Sequence, residues 1–146
     1  MTTRRQFLQG ITTLAAASAL PEELRAQSRS APAWNSGDLD FIREYFTEDA
    51  VLHLAGNNAM SGTYRGRDAV VDALARDSQG WGPHAEMETI LASDDHVIAF
   101  FQVTSERDGK TLDVVLAEPM KVNAEGKITE IWFLANDQRG YDQFWS

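Results

Sequence analysis

The spacing of hydrophobic residues changes about halfway along the chain. In the first half, apolar side chains recur at the three- to four-residue intervals of an amphipathic helix. One helix is predicted to begin at a Gly37-Asp38 cap, and a second to begin after Gly66 and end near Asp77. Between them, the apolar run 51–54 predicts a short strand, followed by a loop around Met60. The apolar positions that define the two helices are Leu39, Ile42, Tyr45 and Phe46, and then Val70, Val71 and Leu74.

After residue 80 the pattern becomes that of strands, because short apolar or alternating stretches are separated by turn-forming residues. We predict four strands, over residues 86–92, 97–105, 111–122 and 128–135. The segments that join them are short and rich in Asp, Asn and Gly, so neighbouring strands must run antiparallel. Helices followed by an antiparallel meander predict an α+β fold with the helices on one face of the sheet.

The amino-terminal segment has the features of an export signal. Arg4 and Arg5 precede a Phe-Leu pair, and a mildly apolar stretch covers residues 10–20. A basic start, a short apolar middle and a small-residue end are typical of secretory signals, and the arginine pair resembles the twin-arginine class. We therefore predict a signal segment 1–26, a domain 27–146 and a periplasmic or secreted location.

Two features of this segment stay open. Cleavage after Ala19 and cleavage after Ala26 are both compatible with the sequence. The alternative to a signal is an amphipathic helix of the mature protein, which is disfavoured because residues 11–19 have no polar stripe.

The amino-acid composition excludes several classes of partner and of functional site. The chain has 146 residues, a net charge of −9 and no cysteine. An acidic domain lacks the basic face that nucleic acids and anionic membranes require, so neither is an expected partner. Without cysteine there are no disulfides, zinc–thiolate sites or thiol nucleophiles. The three histidines are scattered and have no spaced carboxylate partner, so the sequence predicts neither a metal nor a cofactor.

Several short motifs, in this order and spacing, resemble the SnoaL-like family of the nuclear transport factor 2-like superfamily over roughly residues 34–146. The resemblance implies a cone in which a curved antiparallel sheet has helices packed on its concave side. It also implies a pocket for a small hydrophobic molecule, and a homodimer. The motifs are Asn35-Ser36-Gly37-Asp38-Leu39-Asp40, Phe46-Thr47-Glu48-Asp49-Ala50-Val51-Leu52-His53, Ser61-Gly62-Thr63-Tyr64-Arg65-Gly66-Arg67-Asp68-Ala69-Val70, Glu125-Gly126-Lys127-Ile128-Thr129-Glu130-Ile131-Trp132-Phe133, Asp137-Gln138 and Tyr141-Asp142-Gln143-Phe144-Trp145.

The catalytic sets of this superfamily do not carry over intact. For the ketosteroid isomerases of this superfamily, the resemblance implies three catalytic groups: a tyrosine, an aspartate base and a buried protonated acid. Those positions fall on Ser30, Leu54 and Glu118, so only the buried acid keeps a carboxyl. Polyketide cyclase relatives often carry Glu-His-Trp-Asp on the last strand, where this chain has Glu130-Ile131-Trp132-Phe133.

Glu118 and His53 are the candidate catalytic residues. Glu118 lies in an apolar run, where burial would raise its pKa and make it a proton donor near neutral pH. The alternative is a glutamate beside a bulge, since Pro119 indicates an edge or irregular strand. His53 alternates in facing with Leu52 and Leu54, so it could act as a base at the pocket or lie hydrogen-bonded in the core. We predict that both groups open into one cavity.

A set of mostly apolar residues is predicted to line the ligand pocket, although each could equally pack the core. Facing on the last strand depends on register, and the resemblance favours Ile131, Phe133 and Ala135 inside. Asp137 closes the cone or caps a turn, and Tyr141, Phe144 and Trp145 are expected to pack rather than catalyse. The pocket set is Met60, Tyr64, Trp81, Ile131, Trp132, Phe133, Ala135 and Asp137.

Two functions remain open at this point. One is a cofactor-free isomerase, cyclase or lyase that uses Glu118 and His53 as acid and base on a small apolar carbonyl compound. The other is a ligand-binding or dimerisation module without turnover, which the missing tyrosine and aspartate favour. The sequence slightly favours a ligand-binding domain.

Overall fold

The computed structural model describes residues 39–81 and 85–146. The predicted signal segment, the boundary at residue 27 and Ser30 lie outside the described residues. Within them, three helices and six strands follow one another along the chain. The elements are α1 (Leu39–Arg43), β1 (Phe46–Leu54), β2 (Gly62–Arg65), α2 (Arg67–Trp81), β3 (Ala85–Ala92), β4 (His96–Arg107), β5 (Lys110–Val122), β6 (Ile128–Ala135) and α3 (Gln138–Phe144).

The strands form one curved sheet in the order β2-β1-β6-β5-β4-β3, and the sheet does not close. Strands β3 to β6 form the predicted antiparallel meander. Strand β1 then pairs with β6 in parallel, with Leu52 opposite Ile131. The α+β architecture predicted from the sequence is confirmed, and the parallel pair joins the first half of the chain to the second.

One face of the sheet carries the core. We call it the inner face, because α2 and α3 pack against it, and the opposite side the outer face. Alternation along β4 and β5 sends every second side chain inward, as a pleated strand requires. These inward residues are buried with the apolar side of α2. They are Val97, Ala99, Phe101, Val103, Leu112, Val114, Leu116, Glu118 and Met120.

The early elements differ from their predictions in length. The first helix ends at Arg43, and Phe46 already belongs to β1, where it pairs with Ile128. Strand β2 was not predicted, because it has four mostly exposed residues and starts at a glycine. Helix α2 continues past Asp77 to Trp81. For Phe46 and for β2, pairing with distant parts of the chain replaces what local spacing indicates.

The loop between β1 and β2 is held by α3. Asp142 accepts hydrogen bonds from the Asn57 backbone N–H at 3.1 Å, the Asn58 side chain at 2.6 Å and Gln138 at 3.1 Å. Burial raises the pKa of Asp142, but the Asn58, Asn57 and Gln138 hydrogen bonds outweigh it and hold this pKa below its ordinary value. The bonds fix the loop that places Met60 in the core.

Gly56 lies in this loop with φ +98°, and a Cβ there would clash with the Asp142 carboxylate and the Gln138 amide. We expect Gly56→Ala to lower the free energy of unfolding by about 2–4 kcal/mol, from left-handed backbone strain plus the clash. Gly109→Ala is the matched control, since Gly109 has φ +74° and nothing within 4 Å of its Cβ position. Urea unfolding of both variants measures the difference. Equal losses in the free energy of unfolding would show that the clash with Asp142 does not contribute to the destabilisation.

Candidate functional site

Glu118 is a buried carboxyl on the inner face of the sheet. It lies on β5 opposite Ala99 of β4, and only 7% of it is exposed. Burial, and then the charge of Asp77, raise its pKa to about 8. At neutral pH the side chain is therefore protonated and able to donate a hydrogen bond. The structure confirms that Glu118 faces the interior, although β5 is a central strand rather than the edge that Pro119 indicated.

Asp77 and Tyr141 accompany Glu118 in the interior. The Tyr141 hydroxyl donates a 2.5 Å hydrogen bond to Oδ1 of Asp77, and both residues are buried. The sequence pattern predicts a helix end near Asp77 and a packing role for Tyr141. Phe144 and Trp145 do pack in the core, as expected.

The spacing of residues along α2 indicates from the sequence that Asp77 is buried. It follows Val70 and Leu74 at helical spacing, on the side of α2 that is otherwise apolar. A carboxyl within a buried stripe calls for a hydrogen-bond partner. The pattern could thus have identified Asp77, but not Tyr141, which is 64 residues away in sequence.

His53 lies on the outer face, so the prediction that it shares a cavity with Glu118 is wrong. Its neighbours Leu52 and Leu54 are buried in the core, and strand alternation sends His53 to the other side. Its Nε2–H donates to the Glu130 carboxylate at 2.7 Å, and its Nδ1 lies 3.2 Å from the Thr63 hydroxyl. These contacts make His53 part of a surface network.

Trp132 belongs to the same surface network, so its prediction as a pocket residue is also wrong. Its ring stacks on His53 at 5.1 Å between centroids, and the Lys121 ammonium lies 5.4 Å from the ring centroid. Lys121 also contacts Glu130 at 3.0 Å. Hydrogen bonds from His53 and Lys121 lower the pKa of Glu130, which leaves it ionised at neutral pH.

The remaining pocket candidates divide by position. Met60, Ile131 and Phe133 are buried on the inner face, while Tyr64 and Ala135 are half-buried against the core. The expected inward facing of Ile131, Phe133 and Ala135 is therefore confirmed. The Tyr64 hydroxyl donates to the Met60 carbonyl at 2.8 Å, so it is engaged in fixing the loop.

Of the last two candidates, one does not line the interior and the side chain of the other is not described. Asp137 is exposed and is the N-cap of α3, where its carboxylate accepts from the Gly140 N–H at 2.9 Å. Its assignment to the pocket is wrong, because it satisfies a free backbone donor at the helix start. Trp81 ends α2, and its side chain lies outside the described part of the structure.

Two kinds of site are absent from residues 39–81 and 85–146. No cluster of three or more His, Cys, Asp or Glu side chains could hold a metal ion there. No helix in these ranges combines the length and apolar character needed to cross a bilayer.

Comparison with known proteins identifies relatives of this chain and structures that share its fold. Residues 28–131 match the model of the SnoaL-like domain. The uncharacterized protein Rv0034 of Mycobacterium tuberculosis is 30% identical over 121 residues, which are 81% of this chain and 92% of that protein. Bal32a, from a soil-derived mobile gene cassette, is 30% identical with a TM-score of 0.78, over 85% of this chain and 96% of its own.

More distant structures share the fold. A protein with a cystatin-like fold from Xanthomonas campestris has a TM-score of 0.74 at 24% identity, covering 85% of this chain and 98% of its own. TerC, co-crystallized with polyporic acid, has a TM-score of 0.72 at 15% identity, covering 86% of this chain and 100% of its own. The family match, the extent of these alignments and the curved sheet agree with one another. The chain belongs to the SnoaL-like domain family and has the nuclear transport factor 2-like fold.

Proposed function

We propose that this protein binds a small, uncharged hydrophobic molecule on the inner face of its sheet, with Glu118 donating a hydrogen bond to an acceptor such as a carbonyl oxygen. The observation that carries the proposal is a buried carboxyl on an otherwise apolar face, where burial raises its pKa to about 8. Small-molecule sites typically combine an apolar lining with a few convergent polar groups. Neighbouring Ile131 and Phe133 supply such a lining.

The charges of the site favour an uncharged ligand. Asp77 and Glu118 are the buried charged side chains of the described residues, and both are acids. A carboxylate ligand would add negative charge to a desolvated interior that already disfavours it. TerC shares only the fold, and its co-crystallization with polyporic acid supports a small-molecule ligand for this architecture.

A second candidate function is cofactor-free isomerase, cyclase or lyase chemistry. It is favoured by the presence of two interacting carboxyls on the inner side, since one can hold a proton while the other is ionised. His53 has no part in this candidate, because it lies on the outer face. Glu118 would be the acid.

Glu118→Ala tests the binding proposal with two probes of matched shape, acetylnaphthalene and ethylnaphthalene. Removing the donor should weaken acetylnaphthalene binding by about 3- to 10-fold, the free energy of one hydrogen bond. Binding of ethylnaphthalene, which has no carbonyl, should change much less. Titration calorimetry or quenching of tryptophan fluorescence measures both constants.

One control variant accompanies this test. His53→Ala removes an outer-face side chain and should leave both constants unchanged. Equal weakening of both probes by Glu118→Ala would contradict a hydrogen bond to the carbonyl. Turnover of small enones by the wild type that is lost in Glu118→Gln, with acetylnaphthalene binding retained, would establish the second candidate.

We also propose that the protein forms a homodimer through the outer face of its sheet. Two rows of apolar residues cross adjacent strands there: Leu134, Ala117 and Phe100 in one, and Pro119, Ile98 and Leu91 in the other. Leu134 and Leu91 are 43% and 46% exposed. A contiguous apolar patch on a sheet indicates an interface, and two-fold symmetry lets the same patch serve both copies.

Leu134→Lys should shift the protein from dimer to monomer, because it places a charge within the proposed interface. Sedimentation velocity at micromolar concentration measures the change. Asp72→Lys, on the exposed side of α2, is the control and should leave the dimer intact. A wild-type protein that sediments as a monomer would rule out this interface.

We further propose export by the twin-arginine route, on the strength of Arg4 and Arg5 ahead of the apolar stretch. In bacteria producing the full chain, the protein should be recovered from the periplasm after cell fractionation. Replacing both arginines by lysine should retain it in the cytoplasm. Unchanged fractionation of that variant would contradict recognition by this route.

A further inference from the structure

Three side chains on the outer face of the sheet meet in the arrangement of a nucleophile, a base and an orienting acid. They come from adjacent strands, with Thr63 on β2, His53 on β1 and Glu130 on β6. Nδ1 of His53 lies 3.2 Å from the Thr63 hydroxyl oxygen, and Nε2 lies 2.7 Å from Oε2 of Glu130. The imidazole therefore bridges a hydroxyl and a carboxylate.

Strand pairing explains why these groups meet. In the backbone register, His53 is directly opposite Thr63 of β2 and Trp132 of β6. Side chains at paired positions project from the same face of a sheet, close enough to touch. The Trp132 ring stacks on His53 with 16° between the two planes, which restricts rotation of the imidazole. The position of the histidine ring is thus set by neighbours on both sides.

The carboxylate of Glu130 sets the tautomer of the His53 ring. Hydrogen bonds from His53 and then from Lys121 lower the pKa of Glu130, so at neutral pH its oxygens only accept. The single proton of a neutral imidazole then lies on Nε2, and Nδ1 keeps its lone pair. That lone pair accepts the hydrogen bond of the Thr63 hydroxyl. In this state a histidine can remove the proton of the hydroxyl.

We propose that this group is a second site, at which Thr63 is the nucleophile and His53 the general base of acyl transfer from small esters. Glu130 is a positioning residue that holds the ring and its proton. An activated nucleophile requires a base within hydrogen-bond reach that is itself oriented by a third group, and both distances meet this requirement. The ring nitrogens exchange the roles they have in serine proteases, where the hydroxyl lies at Nε2.

The reaction is balanced by the residues themselves and water. Oγ1 of Thr63 forms a bond to the ester carbonyl carbon, while its proton passes to Nδ1 of His53. The bond from this carbon to the leaving oxygen then breaks, and the proton passes from His53 to the released alcohol or phenol. A water molecule attacks the acyl-threonine in the same way, which releases the carboxylic acid and restores the Thr63 hydroxyl.

Exposure of the site indicates the class of substrate. The side chains of His53 and Glu130 are 28% and 26% exposed, and Thr63 is exposed on the edge strand. An open site makes few contacts with its substrate, so the ester must bring a good leaving group of its own. The indole of Trp132 beside the imidazole supplies an apolar contact for an aromatic leaving group. Aryl esters of small acids are therefore the expected substrates.

The site is separate from the others proposed for this protein. Glu118 lies on the inner face of the sheet. The apolar rows proposed for the dimer lie on β3 to β6, whereas Thr63 and His53 lie beyond them on β2 and β1. Acyl transfer at Thr63 therefore goes beyond the proposed ligand binding and does not rest on it.

Hydrolysis of para-nitrophenyl acetate by the purified protein tests the proposal. Thr63→Val keeps the branched shape and removes the hydroxyl, and His53→Ala removes the base. Each should lower kcat/KM by about 100-fold, the contribution expected of a positioned general base and its nucleophile. Thr63→Ser keeps a hydroxyl and should remain active. His96→Ala is the matched control, since His96 also has a carboxylate partner at 2.7 Å but lies on β4, and the rate should be unchanged.

Two further measurements separate catalysis from a structural role. After acid quenching, fragment-ion mass spectrometry should locate an acetyl group on Thr63 of the wild type. Glu130→Gln should lower kcat and leave KM unchanged, because the substrate does not contact Glu130. In the same variant, nitrogen-15 NMR of the His53 ring should show the proton shared between Nε2 and Nδ1, because the carboxylate that holds it on Nε2 is gone.

Two results would overturn the proposal. One is a wild-type rate in Thr63→Val with acetyl groups on lysines, because hydrolysis would then reflect the intrinsic reactivity of surface groups. The other is a wild-type protein that is no faster than His53→Ala. Thr63 is exposed on a four-residue edge strand, so its replacement leaves the core intact and a folded variant is available for the assay.

Discussion

Burial of two acids beside an apolar sheet is the constraint on which the candidate site depends. An isolated ionised carboxylate inside a protein is costly, and the usual outcome is that the group becomes neutral or acquires a partner. Here Asp77 has Tyr141 as a hydrogen-bond donor, and Glu118 has its pKa raised to about 8. The buried charged side chains among the described residues are thus both acids, one with a hydrogen-bond donor and one with a raised pKa.

Because side chains alternate between the two faces of a strand, the sheet separates the buried site from the surface network. On β1 and β6, Leu52 and Ile131 point into the core, while His53 and Trp132 point outward and stack on each other. The outward residues form ordinary surface contacts with Glu130 and Lys121. One step along a strand thus decides whether a side chain belongs to the buried site or to the surface network.

The sequence predicted the fold better than the site, for physical reasons. Strand periodicity and short turns are local, so the four strands of the meander were located to within one or two residues. The inward facing of Glu118 also followed from its apolar neighbours. The partner of Asp77 did not, because the Tyr141 contact depends on how α3 packs back onto the sheet. His53 was misplaced because a four-residue apolar run does not say which of its two faces will be covered.

Tyr141 and Asp142 are consecutive residues of one short helix, and their side chains contact different parts of the protein. Tyr141 reaches inward to Asp77, while Asp142 binds the loop at Asn57 and Asn58 that carries Met60 into the core. A helix of seven residues moves as a rigid piece, so a shift of α3 displaces both contacts at once. The carboxyl-terminal helix therefore ties the loop between β1 and β2 to the buried Asp77 through two neighbouring side chains.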